Sequence, residues 1–436
     1  MYKFKGGGLT MRKKFLFLFI TVIFLLGLVG CSSKNSGGGD SDKKVTIDIF
    51  NIKVETKKQL ENLAQEYESK HPNVKINITT VGGGQDASSA LQAKFSSGDE
   101  PAIFMLGGLP DVEKYKDKLL DLSDMKATKE AIDGTLEGAT IDGVPYGLPL
   151  NIEGYGWMIN KDIFKKAGID VNNIKSFEDF KKAVETLDSK KAELGLKAVF
   201  GFSGKEDWVV AQYSSHFTSP EFDNSLTKVY KSDNLTYKYG KRFKEYTDLI
   251  NNYTVQPVLS MDYSTSVEEL FANGKVAIIH QGNWIVPTLD SIDPEFSKQK
   301  LGILPFFVAN DNEGLICASP SWYWGVNKTK DEKVVEESKK FLDWMYTSEE
   351  GKKALVEEFK YIPAYKGNDV NSIKDPVSKE IYQYLLNGKN TVWAHNQYPY
   401  GWFSTALFPE FQKYLNGDIN WEEFEANTSK TFKEMR

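Results

Sequence analysis

The chain has 436 residues, of which 26% are charged and 13% aromatic, and its formal net charge is −6. Residues 1–30 hold five basic residues and no acids, so the remainder carries −11, the opposite of the Lys/Arg excess that neutralises nucleic-acid phosphates. With two cysteines and four histidines far apart in sequence (His71, His216, His280, His395), neither a disulfide framework nor a metal site nor a cofactor is expected, and each histidine reads as structural or surface.

The first element is an apolar run, 15–30, behind Arg12-Lys13-Lys14. A secretory core needs about 7–15 apolar residues and a membrane span about 20, so its length leaves both open. The residues that follow decide. Leu28-Val29-Gly30-Cys31 resembles the lipobox of bacterial lipoprotein signals, in which the cysteine is acylated and becomes the mature N-terminus. That resemblance implies a lipoprotein signal peptide over 1–30. It also implies a chain lipid-anchored through Cys31 to the outer, extracytoplasmic face of a bacterial cell membrane. The rival is an uncleaved anchor with an incidental cysteine. Residues 31–44 are small and polar and read as a flexible tether, about 20 Å in root-mean-square span. Gly6-Gly7-Gly8 before Met11 suggests a translated ribosome-binding site, so Met1 and Met11 both stand as starts.

The remaining residues, about 400, exceed one hydrophobic core, and two domains are expected. "KKVTIDIF" (43–50) alternates as a strand does. "ETKKQLENLAQEYESKHP" then sets Leu60, Leu63, Ala64 and Tyr67 at helical spacing, with Thr56 and Gln59 as a capping box and Pro72 as the stop. "NVKINITTV" (73–81) is a second strand, "GGGQD" turns into the helix "ASSALQAKFSSG", and "PAIFML" (101–106) is a buried third strand. This order predicts an α/β fold with a parallel sheet. Further on, "YGWMINKDIFKKAGID" passes from strand to helix, and "SFEDFKKAVETLDSK" opens on Ser176 as N-cap. "VEELFANGKVAIIHQGNW" reads as helix, turn, strand and polar-aromatic loop. "EKVVEESKKFLDWMYTSEEGKKALVEEF" is a helix pair joined at Ser348, and the C-terminus is helix, Asn-Gly-Asp, helix.

Together "DGVPYGLPLNIEGYGWMINKDIFKKAGI", "LFANGKVAIIHQGNW", "GVNKTKDEKVVEESKKFLDWMYTSEEGKKAL" and the terminal helix pair resemble the extracellular solute-binding proteins of carbohydrate ABC importers, the family of maltose-binding protein. One departure is Ala102, where the family usually has Asp after the Pro. The resemblance implies two α/β lobes joined by hinge strands around a ligand cleft. Matched segments put 45–150 and 276–320 in lobe 1, and 151–275 and 326–436 in lobe 2. Crossings fall near Leu150–Asn151, Gly274–Lys275 and Ser321–Gly325. The implied partners are a carbohydrate, in particular an oligosaccharide, and the permease subunits of an importer, with the protein itself a monomer.

A neutral sugar needs paired donors and acceptors for its hydroxyls and flat rings for its C–H faces, and clefts between domains supply such sites. The resemblance points to Glu153 as a hydroxyl acceptor and to Trp284 and Trp402 as ligand-facing rings. Loop position adds Asn51 and Lys53 after the first strand and Gly107 and Gly108 after the third, since ligands bind beyond the carboxyl ends of parallel strands. Gln281 and Asn283 share the loop of Trp284, and Trp208, Trp322 and Asn396 have suitable chemistry. Trp344 and Trp421 sit on helical faces and read as core. No Gly-x-Ser-x-Gly elbow or P-loop occurs, and "HQGNWIVP" and "HNQYPYGWF" contain no acids, so binding rather than catalysis is expected. A glycoside hydrolase is one rival, and a receptor for a membrane sensor kinase is the other.

Overall fold

A computed structural model describes residues 44–81 and 87–436. The lipobox with Cys31, the tether through residue 43 and the "GGGQD" turn lie outside these described residues. In chain order, the strands that matter are β1 (Val45–Asn51), β2 (Val74–Thr80), β3 (Ile103–Leu106), β4 (Leu148–Pro149) and β5 (Ile152–Asn160). They continue with β6 (Ile278–Gly282), β7 (Leu301–Leu304), β8 (Ile316–Pro320), β9 (Tyr323–Val326) and β10 (Asn390–Thr391).

These strands make two sheets. The first runs β2-β1-β3-β9-β4; the second runs β10-β8-β5-β6, with β7 also paired to β5. In the first, β1 is parallel to β2 and β3, as the strand–helix alternation predicts. The helix Lys57–Lys70 buries its predicted stripe, Leu60, Leu63, Ala64 and Tyr67, in the same apolar cluster as Ile47, Ile49 and Ile103. That cluster continues onto one face of the second sheet through Met158, Ile279 and Ile303. The other face of the second sheet packs around Trp157, Phe180, Tyr213 and Phe411.

Caps follow the sequence in most places. Ser176, Ser348 and Asn420 each accept a backbone N–H at a helix start. Thr56 differs: its hydroxyl makes no cap and instead pairs with the Tyr361 hydroxyl at 2.8 Å. A tertiary partner has outcompeted the local one.

Strand partnership corrects the division expected from the sequence. The expectation places 276–320 with 45–150, but β6, β7 and β8 each pair antiparallel with β5 in the second sheet. Conversely, β9 completes the first sheet against β3 and β4, and the helix Glu332–Thr347 packs on β1, so this part of 326–436 belongs to the first sheet. The physical reason is that β5 is buried along all nine residues and takes antiparallel partners at both edges, drawing in every strand that follows it before β9. The chain crosses between sheets at Leu150–Asn151, from β4 to β5, and at Ser321–Trp322, from β8 to β9. Gly274–Lys275 is not a crossing, because Lys275 bonds back to Leu270 and leads into β6. A third crossing lies between Tyr365, beside Ala131 of the first half, and the helix Pro376–Leu386 on the second sheet.

Candidate functional site

The loop after β1 is built by Asn51. Its Oδ1 accepts the Lys53 N–H at 3.1 Å, and its Nδ2 donates to the Lys53 carbonyl at 3.2 Å and to Thr80 Oγ1 at 3.1 Å. Asn51 therefore shapes the loop and has little hydrogen-bonding capacity left. The loop carries Lys53 across to the second sheet, where its Nζ lies 2.7 Å from Glu153 Oε1 and 2.7 Å from Glu55 Oε1. Glu153 follows the first crossing, and its other oxygen accepts from Ser321 Oγ, at the second crossing, at 2.7 Å. Burial alone would push the Lys53 ammonium down. Glu153 and then Glu55 outweigh it and hold the group above the usual lysine range.

Trp284, just past the end of β6, lines the same cleft as Glu153. Asn283 Oδ1 accepts the Gly154 N–H at 3.0 Å and its Nδ2 donates to Ser378 Oγ at 3.4 Å, which pins the loop. Buried Gln281 accepts the Trp284 indole N–H at 2.8 Å and fixes the ring from below. A methyl group on Gly282 would come within 2.2 Å of that ring, so glycine is required there. Tyr155, Trp393 and Trp208 surround Trp284 with ring centroids 6.1, 5.9 and 6.3 Å away. The resulting cleft is lined by Glu55, Thr56, Glu153, Asn283, Trp284, Pro287, Phe359, Lys360 and Tyr361. It holds fixed acceptors, a charged donor and a half-buried indole.

The structure thus gathers Glu153, Asn283 and Trp284 in one cleft, with Lys53 buried against Glu153 and Glu55, Gln281 bonded to the Trp284 indole and Trp208 packed beside it. Trp208 is half-buried and donates its indole N–H to Glu206 Oε2 at 3.2 Å. Trp322 sits at the second crossing against Gly107, and Asn396 donates to the Ser321 carbonyl at 2.9 Å. Gly108 lies under the backbone of Asn396 and the side chain of Gln397. Trp402 is not brought to the cleft. It is 0% exposed, donates to Thr431 Oγ1 at 3.1 Å and meets Tyr398 and Phe432 edge-on, because Trp402, Ala406, Phe411 and Leu415 form one buried helical stripe. Sequence reasoning missed Glu55, Thr56, Phe359, Lys360 and Tyr361. Glu55, two residues after Lys53, was within reach of a charge-pair argument; Tyr361 carries no sequence signal.

Below the cleft, three histidines converge on Tyr155. His216 Nε2 lies 3.1 Å from His280 Nε2, and His395 Nδ1 lies 2.9 Å from Ser215 Oγ. Their rings lie 5.1, 5.6 and 6.3 Å from Tyr155 for His216, His280 and His395. Burial pushes His280 and His395 down to about 3 and His216 well below its ordinary value. They are neutral core groups. Among the described residues, no group of three or more His, Cys, Asp or Glu is placed to hold a metal ion.

Comparison with known proteins follows the same architecture. The melibiose/raffinose/stachyose-binding protein MelE of Bacillus subtilis is 25% identical over 340 residues, 75% of this chain and 76% of that protein. The multiple sugar-binding protein of Streptococcus mutans is 24% identical over 407 residues, 85% of this chain and 88% of that protein. The structure of a chitin oligosaccharide binding protein superposes with a TM-score of 0.75 at 23% identity, covering 90% of this chain and 99% of its own, so the two share a fold. The pattern of one family spans residues 53–352. The chain belongs to the bacterial extracellular solute-binding protein family, whose members act outside the cytoplasm.

Proposed function

We propose that this protein is a membrane-tethered receptor that captures an oligosaccharide and delivers it to the permease subunits of an ABC importer, acting as a monomer anchored by acylated Cys31. The observation that carries the sugar reading is the Trp284 indole, fixed by Gln281 and lining one cleft with Glu153, whose carboxylate is paired with Lys53. A flat apolar face beside fixed hydroxyl partners is what a sugar ring requires. The relatives support this, since the proteins that the chain resembles are described as binding melibiose, raffinose and stachyose, multiple sugars, or chitin oligosaccharides. Binding is favoured over hydrolysis because both cleft carboxylates, Glu55 and Glu153, are committed to the same ammonium. A glycosidase divides its carboxyl pair between proton donor and nucleophile or base.

A thermal-shift screen over raffinose, stachyose, arabinotriose, maltotriose and chitotriose tests the reading. At least one sugar raises the melting temperature and is recovered intact by mass spectrometry. Turnover of the sugar would make the protein an enzyme, and no shift with any of a broad oligosaccharide set would remove the sugar.

A further inference from the structure

Away from the Lys53–Glu153 pair, the two halves of the fold also meet along a seam of direct contacts. The helix Leu109–Tyr115 of the first half begins immediately after Gly108, and its first N–H has no acceptor within its own turn. That N–H donates to Gln397 Oε1, from the second half, at 2.9 Å. Gln397 is buried, and its carbonyl accepts from Arg436 Nη2 at 2.8 Å, so the segment is held from behind. Four further hydrogen bonds join the same two halves. The Tyr400 hydroxyl meets Ser88 and Lys114, and Glu137 Oε1 accepts from Ser225 Oγ and the Thr227 N–H at 3.1 Å each.

Gly108 explains why the seam can form. Its backbone is extended (φ 172°, ψ −163°), a conformation open to any residue. Space is the constraint: a methyl group there would stand 2.6 Å from the Asn396 carbonyl oxygen and 2.5 Å from Gln397 Nε2. The amide end of Gln397 could swing aside, but the Asn396 carbonyl is backbone and could not.

We propose that Gln397 is an interlobe clasp: it ties the second half of the fold to the first through the Leu109 N–H, and Gly108 is glycine to admit that contact rather than to touch a ligand. The assignment concerns the same two lobes as the sugar reading, but its test contains no sugar, so the two fail separately.

Hydrogen exchange of the full chain, resolved to peptides over 103–112 and 394–402, reads the clasp directly. Gln397→Ala leaves the amides of Ile103–Leu106 as protected as before and speeds Leu109 exchange about tenfold, the expected effect of losing its sole acceptor. Gly108→Val speeds exchange in both peptides, because the added side chain forces the Asn396 carbonyl and the Gln397 amide away from the helix start. The melting temperature of Gln397→Ala, little changed, separates loss of the clasp from loss of the fold, and this variant decides alone if Gly108→Val fails to fold. Leu109 exchanging in the unaltered chain as fast as in an unstructured peptide would overturn the assignment. So would Leu109 protection that survives Gln397→Ala.

Discussion

Lys53 and Glu153 stand 100 residues apart in the chain and on different sheets, yet their charged atoms lie 2.7 Å apart with both side chains nearly buried. The pair ties the floor of the cleft to both lobes. Removing one partner from such a pair strands the other without compensation, at a cost of about 3–5 kcal/mol. Lys53→Met is therefore expected to lose that much stability in urea unfolding. Adding Glu153→Gln is expected to restore most of it without restoring sugar binding. A single variant as stable as the unaltered chain would show that the pair is not formed in solution.

Trp284 and Trp402 are expected to give opposite results. For the sugar identified by screening, Trp284→Ala removes an apolar contact of about 1.5–3 kcal/mol and lowers affinity about 10- to 150-fold, with a small change in the melting temperature without sugar. Trp402→Ala opens a core cavity and costs about 3–5 kcal/mol of stability, while the molecules that remain folded bind normally. Calorimetric titration alongside melting curves checks both.

The buried histidines set an acid response. Their folded values lie below the unfolded value of about 6.5, so unfolding takes up protons and stability falls as pH drops through 6.5 toward about 3. Each contributes up to about 1.4 kcal/mol per pH unit between those limits. Glu380 acts in the opposite sense: burial raises it to about 7, so it gains stability as pH falls from there toward its unfolded value and offsets about one histidine. His395→Gln is expected to flatten the slope of unfolding free energy between pH 6 and pH 5 by about one proton's worth. An unchanged slope in urea titrations would mean that His395 is already free to protonate in the folded protein.

Cys31 is expected to be the site of acylation. In cells fed a labelled fatty acid, the unaltered chain carries the label and Cys31→Ser does not, and the variant keeps its signal peptide. Label retained by the variant would place the anchor elsewhere.

What the sequence disclosed and what it hid follow from the range of the interactions. Helices whose apolar stripe and cap lie within one turn, such as Phe177–Ser189 with Ser176, are legible because a single segment contains the whole signal. The loop after β6 was picked out because polar and aromatic residues crowd the end of an apolar strand, and the loop after β1 because it lies at the carboxyl end of a parallel strand. Strand partnership was not. Nothing near Leu301–Leu304 says that it will lie beside Ile159, and the misplacement of 276–320 follows from that silence. Trp402 was assigned to the ligand from the family match, although its spacing to Ala406, Phe411 and Leu415 is that of the buried helical stripe on which it lies.

The late return of β9 to the first sheet governs how the chain comes into being. Until Tyr323–Val326 has been synthesised, the outer edge of β3 has no partner on that side, and the strand that covers it arrives about 220 residues after β3 itself. Contacts of such long sequence separation form slowly, because the loop must close before any pairing rewards it. A nascent chain therefore cannot complete its first lobe from its N-terminal part.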